Sequence, residues 1–257
     1  MTDFIPTPER QKQILSLLTR QKRLSVTEIV MQFSISEATA RRDLESLASQ
    51  GKVQRVHGGV MAIEQAPPES PILERASEQL EDKARIGLAT ANLINDKETV
   101  FLGSGTTVLE VARNLRNRKN LTVITNSLPV LNTLAGIKEI AVISLGGMLR
   151  ESEMSFIGHI TEQALSEIRA DKVIMGTRGL SLEHGLTNDY LQETLTDRAI
   201  LKIGREVIIV ADHTKVNRVA TALLAPLDVV HTLVTDSKAD KKFAQALKKQ
   251  GIDVIVA

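Results

Sequence analysis

Between residues 98 and 257, seven short runs of apolar and largely β-branched residues recur: ETVFLG (98–103), LTVIT (121–125), EIAVISLG (139–146), DKVIMG (171–176), EVIIVAD (206–212), VVHTLVT (229–235) and IDVIVA (252–257). Such runs are too continuously apolar for strands with one wet face, and they suit strands buried on both faces. Amphipathic helical patterns separate them. Strands alternating with helices favour a parallel sheet covered on both sides. The large part of the chain is therefore expected to be a Rossmann-like α/β unit with a mostly parallel sheet.

In sheets of this kind, ligands bind beyond the carboxyl ends of the strands. The first run ends in Gly103-Ser104-Gly105-Thr106-Thr107, followed by the helical pattern VLEVARNL. Glycines admit close backbone approach, and hydroxyls and helix N–H groups hold anions. No lysine follows the last glycine, so this is not a Walker A loop, and the pattern falls short of a dinucleotide fingerprint. A small phosphate ester fits better than ATP or NAD. A tight turn that binds nothing is the bland alternative. Other strand ends add Asn126-Ser127, Gly146-Gly147, Gly176 and Asp212-His-Thr-Lys215. Lys215 supplies a cation, Arg178 is a second candidate, and Arg150 is a third whose surface role is favoured. Glycines, hydroxyls and cations on one sheet edge look like a polyol-phosphate pocket.

The first sixty residues differ. Thr7-Pro8 reads as an N-cap with proline in the first turn, and Ile14, Leu17 and Leu18 mark one helix face. Ser25-Val-Thr-Glu28 has capping-box spacing, with Ile29 and Phe33 pointing inward. A third helix starts after Ser36 and stops at Gly51. Its buried stripe is Ala40, Leu44 and Leu47. Ala38, Thr39 and Arg42 then lie opposite, with Arg41 on the flank. Arginine can pair with guanine and a threonine methyl can meet thymine, whereas a flanking arginine suits a phosphate. Asp43 cannot help bind DNA and reads as an internal partner, with Arg10 a candidate. Lys52-Val-Gln-Arg55-Val-His57-Gly-Gly reads as a short basic hairpin. A helix-turn-helix followed by such a hairpin is a winged helix.

Charge agrees with that division. Residues 1–60 hold nine Lys/Arg and six Asp/Glu, the remainder 23 and 25, so a basic small part precedes a mildly acidic large one. With one Tyr and no Trp, base stacking on single strands is disfavoured. There is no cysteine, and the five histidines, at 57, 159, 184, 213 and 231, make no i, i+4 pair, so no metal or cofactor is expected. No apolar run reaches the roughly 20 residues of a membrane helix, and the start lacks a signal pattern, which suits the cytoplasm.

Pro8-Glu-Arg-Gln-Lys-Gln-Ile-Leu, Ser36-Glu-Ala-Thr-Ala-Arg-Arg-Asp-Leu44 and Arg55-Val-His-Gly-Gly59 closely resemble the DeoR-type bacterial transcriptional regulators. Gly105-Thr-Thr107, Thr125-Asn-Ser127, Gly146-Gly147, Gly185-Leu-Thr187 and Ala211-Asp-His-Thr-Lys215 resemble that family's effector domain in the same order. The resemblance covers nearly the whole chain. It implies an effector domain similar in fold to ribose-5-phosphate isomerase. Gly103 stands where many members have Asp, and Gly176-Thr-Arg-Gly179 stands where the isomerases carry an acidic segment.

The expectation is a winged helix-turn-helix domain over 1–60, a proline-bearing linker over 61–75 and a sugar-phosphate-sensing α/β domain over 76–257. Ser36, Ala38, Thr39, Arg41, Arg42, Lys52, Arg55 and His57 are the DNA candidates, with Thr39 and Arg42 reading bases. Gly103, Ser104, Gly105, Thr106, Thr107, Asn126, Gly147, Gly176, Arg178 and Lys215 are the effector candidates. The chain would be a homodimer or homotetramer on double-stranded operator DNA, a repressor of a carbohydrate-metabolism operon released or engaged by a phosphorylated sugar or polyol. The rival is an isomerase-like enzyme carrying a DNA-binding domain, with Asp189, Glu193, Asp212, His184 and His213 as candidate acids and bases.

Overall fold

The computed structural model describes residues 5–50, 52–56, 58–62, 64–65 and 70–257. The chain divides into two compact units, Met1–Glu64 and Gln65–Ala257.

The small unit contains α1 (Thr7–Gln21), β1 (Arg23–Ser25), α2 (Val26–Phe33), α3 (Glu37–Ser49), β2 (Val53–Val56) and β3 (Gly59–Ala62), with the short β4 (Glu64–Gln65) after it in sequence. The expected cap at Thr7 is displaced by one residue. Pro6 holds the cap position without a side-chain bond, and the Thr7 hydroxyl accepts from Arg10 instead (3.2 Å). The capping box at Ser25 and Glu28 is present in both directions. Ser34, left-handed at φ 50°, ends α2 and produces the turn into α3. Gly51, the expected stop of α3, lies outside the described residues; the helix ends at Ser49.

Ile14 and Leu18 of α1, Ile29 of α2, Ala40, Leu44 and Leu47 of α3, and Val53 and Val60 of the hairpin form one core. Asp43 is buried with it and takes a bidentate bond from Arg10, at 2.5 and 3.1 Å, which ties α1 to α3. The wing has a third strand that the sequence reading lacks. β1 pairs antiparallel with β3, and β3 with β2. A Cβ on Gly59 would lie 2.1 Å from the Leu24 carbonyl oxygen, so only glycine lets β3 approach β1 this closely.

The large unit opens with α4 (Ile72–Arg75) and α5 (Leu80–Ala91). β5 (Thr99–Leu102), α6 (Thr106–Asn114), β6 (Leu121–Thr125), α7 (Leu128–Leu134) and β7 (Ile140–Ser144) follow. Then come the hairpin β8 (Met148–Arg150) and β9 (Ser155–Ile157), α8 (His159–Ser166), β10 (Ala170–Met175), β11 (Gly179–Ser181), β12 (Gly185–Asn188) and α9 (Leu191–Leu201). β13 (Gly204–Val210), β14 (Arg218–Val219), β15 (Ala222–Ala225), β16 (Thr232–Thr235), α10 (Lys241–Lys249) and β17 (Asp253–Val256) complete it.

All seven apolar runs join one sheet, in the order β17-β16-β13-β10-β5-β6-β7, and every pairing in it is parallel. Alternate residues feed opposite cores. Phe101, Val173, Val207 and Ile209 pack with Leu165, Ile200 and Phe243 of α8, α9 and α10. Val100, Leu102, Ile174 and Ile208 pack with Ile86, Val111 and Leu134 of α5, α6 and α7. Burial on both faces is why the inner strands read as unbroken apolar runs. The edge strands depart from that expectation, β7 leaving Ala141, Ile143 and Ser144 exposed and β17 leaving Val256 exposed, because an edge is covered less fully. The β8–β9 hairpin and an antiparallel sheet, β11-β12-β15, were not foreseen, because such short strands carry little periodicity.

Strand order sets the position of a ligand cleft. From β5 the chain steps to β6 and β7 on one side, then returns to β10 on the other side of β5 before continuing to β13. The direction reverses between β5 and β10, which opens a crevice at their carboxyl ends.

Candidate functional site

In the small unit, the start of α3 is an exposed polar surface. Ser36 caps the helix, its hydroxyl accepting from the Thr39 N–H (3.2 Å) and lying 2.9 Å from the Thr39 hydroxyl. Ser36 therefore serves the helix start as well as any phosphate. Ala38, Arg41 and Arg42 are exposed and Thr39 is half-buried. Arg41 donates to Glu37 at 2.6 Å across one helical turn. Lys52 and Arg55 are exposed on and beside β2. His57 lies outside the described residues. Small residues and a guanidinium on one helix end, with cations on the adjacent hairpin, match a helix entering a major groove and a wing meeting the backbone.

In the large unit, a cleft of about 510 Å³ occupies the switch point. Gly103, Ser104, Gly105, Thr106 and Thr107 line it from the end of β5, Gly176 and Arg178 from the end of β10, and Lys215 from the end of β13. No side chain caps α6 at Gly105, so its first N–H groups remain available to an anion in the cleft. The Asp212 carboxylate, also in the lining, accepts from the Thr214 N–H at 2.9 Å and from its hydroxyl. This holds the short helical turn, His213–Lys215, that carries Lys215.

Asn126 and Gly147 do not line this cleft. Asn126 is buried, its side-chain Nδ2 donates to the Phe156 carbonyl (2.9 Å) and its main-chain carbonyl accepts from the Phe156 N–H (2.8 Å), so it fastens β9 to the end of β6. Gly147 packs against α8, where a Cβ would fall 2.2 Å from Thr161 Oγ1.

Several lining residues escaped the sequence reading. Lys83 of α5 lies in the cleft wall and donates to the Arg75 carbonyl at 2.8 Å. Burial lowers its pKa, with the charge of Asp212 opposing the shift. Its place follows from helix packing. A Cβ on Gly87 would lie 2.6 Å from Cβ of Glu110, so α5 crosses α6 at close range there. One turn back on each helix come Lys83 and Thr106, and both line the cleft. Ser70, Arg75 and Gln79 also line it. Arg75 is buried, donates to both oxygens of Glu153 (2.5 and 2.6 Å) and to the Ser70 carbonyl (2.8 Å). The Ile72 N–H donates to the Ser152 carbonyl at 2.8 Å. No sequence pattern links residue 75 with residue 153.

Of the candidate acids and bases, the side chains of Asp189, Glu193, Asp212 and His213 are engaged, while the buried His184 Nε2 has no hydrogen-bond partner among the described residues. Arg178 donates to Asp189 at 2.7 Å. Arg150, expected at the surface, has a side chain only 15% exposed; it pairs with Glu193 and lies 4.7 Å from the Tyr190 ring centre. The His184 N–H bonds Ser181 (3.0 Å), and its ring is not part of the cleft lining. His213 Nδ1 faces Asp236 at 3.1 Å. Asp82, His213 and Asp236 bring their ligand atoms within 4.8 Å of one another, a grouping that histidine spacing did not reveal. Lys238 bonds Asp82 at 2.8 Å, with Arg85 on its other oxygen. That bond from Lys238 holds the Asp82 carboxyl below its usual range, so a side-chain ammonium already answers its charge.

Among the described residues no helix is long and apolar enough to cross a membrane. The family model of the DeoR-like helix-turn-helix domain matches residues 10–66, and that of the DeoR C terminal sensor domain matches residues 78–237. The chain is 35% identical over 236 residues to the transcriptional repressor AccR of Agrobacterium fabrum, covering 91% of each. It is 34% identical over 246 residues to the glycerol-3-phosphate regulon repressor of Escherichia coli, covering 96% of this chain and 97% of that one. It is 31% identical over 249 residues to the HTH-type transcriptional regulator IolR of Bacillus subtilis, covering 97% of each. Among solved structures, ribose 5 phosphate isomerase A from Neisseria gonorrhoeae overlaps 52% of each chain at 15% identity, with a TM-score of 0.39. The two family matches cover most of the sequence, and the chain belongs to the DeoR family of transcriptional regulators.

Proposed function

We propose that this regulator is a repressor of a carbohydrate-metabolism operon, that it binds operator DNA through α3 and the wing, and that a phosphorylated sugar or polyol in the switch-point cleft controls it. The observation that carries this reading is the cleft itself, where an uncapped helix start and the 103–107 loop share a wall with Lys83 and Lys215. A phosphate ester is the ligand that such a wall suits. Two relatives named as repressors, one of a glycerol-3-phosphate regulon, favour the same class of effector and mode of control. Thr39 and Arg42 read bases, and Arg41, Lys52, Arg55 and His57 hold phosphates. Two or four copies act together, because one short recognition helix gives limited affinity and paired half-sites multiply it.

Control needs an effector that binds one state better than another. Ser70, Arg75 and Gln79 belong to the stretch of chain that leads from the DNA-binding unit into the sheet, and all three line the cleft. Occupancy therefore bears directly on that stretch. Catalysis is disfavoured by the engagement of Asp189, Glu193 and Asp212 in ion pairs and turn bonds, and by the neutral and basic residues at 176–179.

A thermal-shift screen against sugar and polyol phosphates tests the reading. A ligand that binds the folded state raises the melting temperature by mass action. In Thr106→Glu, a carboxylate at the mouth of α6 should abolish that rise and the operator response, while operator binding persists. An unchanged response would move the effector site elsewhere, and turnover of a sugar phosphate by the purified protein would restore the enzyme reading.

A further inference from the structure

α9 turns two carboxyls into the cleft one helical turn apart. Glu193 and Asp197 are each 8% exposed, and both line it. A buried carboxyl is costly unless its oxygens are bonded, and both are held. Glu193 pairs with Arg150. Asp197 accepts from Asn188 Nδ2 at 2.7 Å, and the Asn188 side-chain oxygen in turn accepts from the Arg178 N–H at 3.3 Å. The neighbouring Glu153 is held by Arg75. This wall is built from different elements than the 103–107 loop, and its groups are fixed by one another before any ligand arrives.

Carboxyls and an amide held in place offer acceptors and donors side by side, which is the pattern that hydroxyls satisfy, since each donates once and accepts twice. A second phosphate or a carboxylate would lie against Glu153 and Glu193, whose guanidinium partners are already taken. An ammonium group gains little, because the glutamates already face guanidinium partners.

We propose that Asp197, oriented by Asn188 beside Glu193, reads the hydroxyl-bearing end of the effector and selects phosphomonoesters with an uncharged polyol chain over sugar-acid and amino-sugar phosphates. This rests on the reading above that the phosphate lies at residues 103–107. Burial, reinforced by the negative charge of Glu193, holds the Asp197 carboxyl well above the usual carboxylate range. The shift favours the protonated form, and a protonated carboxyl donates to a hydroxyl as well as accepting from one.

Calorimetric titration of the full-length protein tests the proposal. The probes are inorganic phosphate, methyl phosphate, glycerol 3-phosphate against 3-phosphoglycerate, and glucose 6-phosphate against glucosamine 6-phosphate. In the wild type, at least one uncharged polyol phosphate should bind more tightly than methyl phosphate and than its charged counterpart. In Asp197→Ala, affinity for that polyol phosphate should fall about tenfold, the scale of a lost hydrogen bond with its partner stranded, while inorganic phosphate and methyl phosphate change little. Equal losses for all phosphates would make Asp197 a structural residue and overturn the proposal. A wild-type preference for the amine or the acid, or none for hydroxyls, overturns it without any variant. If inorganic phosphate and every ester fail to bind the wild type, the phosphate reading of 103–107 falls first, and that outcome is distinct from phosphate binding without hydroxyl preference.

Discussion

The two units place chemistry on their frameworks in opposite ways. In the winged helix, the candidate DNA contacts Ala38, Arg41 and Arg42 are exposed, while the core and the Arg10–Asp43 pair are buried beneath them. Apart from Ser36, which also caps α3, these candidate contacts are different side chains from those that hold the unit together. In the sensor, Lys83, Arg178, Glu193, Asp197 and Asp212 line the cleft and are also buried, each bonded to the framework. A groove reader can thus change specificity at small structural cost, whereas a residue change in the cleft alters packing, charge balance and ligand fit together.

The separation in the small unit is tested most severely at Asp43. Asp43→Ala leaves the buried Arg10 guanidinium without its carboxylate, and breaking a buried pair costs about 3–5 kcal/mol. Thermal unfolding of the isolated small unit or the full chain should show that unit melting far earlier, with all DNA binding lost. If the unit remains stable, the pair is not what joins α1 to α3.

Arg42→Ala should do the reverse. Affinity for the preferred operator should fall by about 1–3 kcal/mol if the guanidinium pairs with a base, with stability unchanged to within about 0.5 kcal/mol. Binding measured on matched and shuffled duplexes checks it. An equal loss on every sequence would reduce Arg42 to a phosphate contact and make it equivalent to Arg41.

The overlap in the large unit is tested by pH. The folded-state pKa of Asp197 is raised by burial and then by Glu193, above an unfolded value of about 3.9. The folded chain therefore keeps this proton longer, and stability is lost as pH rises from the unfolded value through the folded one. Asp197→Asn removes that proton from the balance. Across that window its unfolding free energy should decline less steeply than that of the wild type, by up to about 1.4 kcal/mol per pH unit. Parallel curves for the two proteins would mean that the carboxyl ionises normally.

Much of the fold was legible because local rules and tertiary packing agree. The runs at 98–103 and 206–212 announced buried strands, since a strand covered on both faces has no polar alternation to conceal it. Ala40, Leu44 and Leu47 announced the inner face of α3, and so the outer one. The glycine and hydroxyl loop at 103–107 was readable because a strand-to-helix turn is contiguous in sequence. β1 and the β8–β9 hairpin were not, since three residues carry no usable period.

The sequence by itself determined two kinds of unit, the seven-stranded parallel layer, the outward face of α3 and the glycine- and hydroxyl-bearing turn at the end of the first sheet strand. These follow from periodicity and from short contiguous turns. Only the tertiary structure decided which distant side chains share the cleft. Lys83 reaches it because Gly87 lets α5 close on α6, Arg75 because α4 docks on the segment before Glu153, and Asn126 misses it because Phe156 holds it elsewhere. Such meetings depend on packing between elements far apart in the chain, where no period or spacing carries a signal.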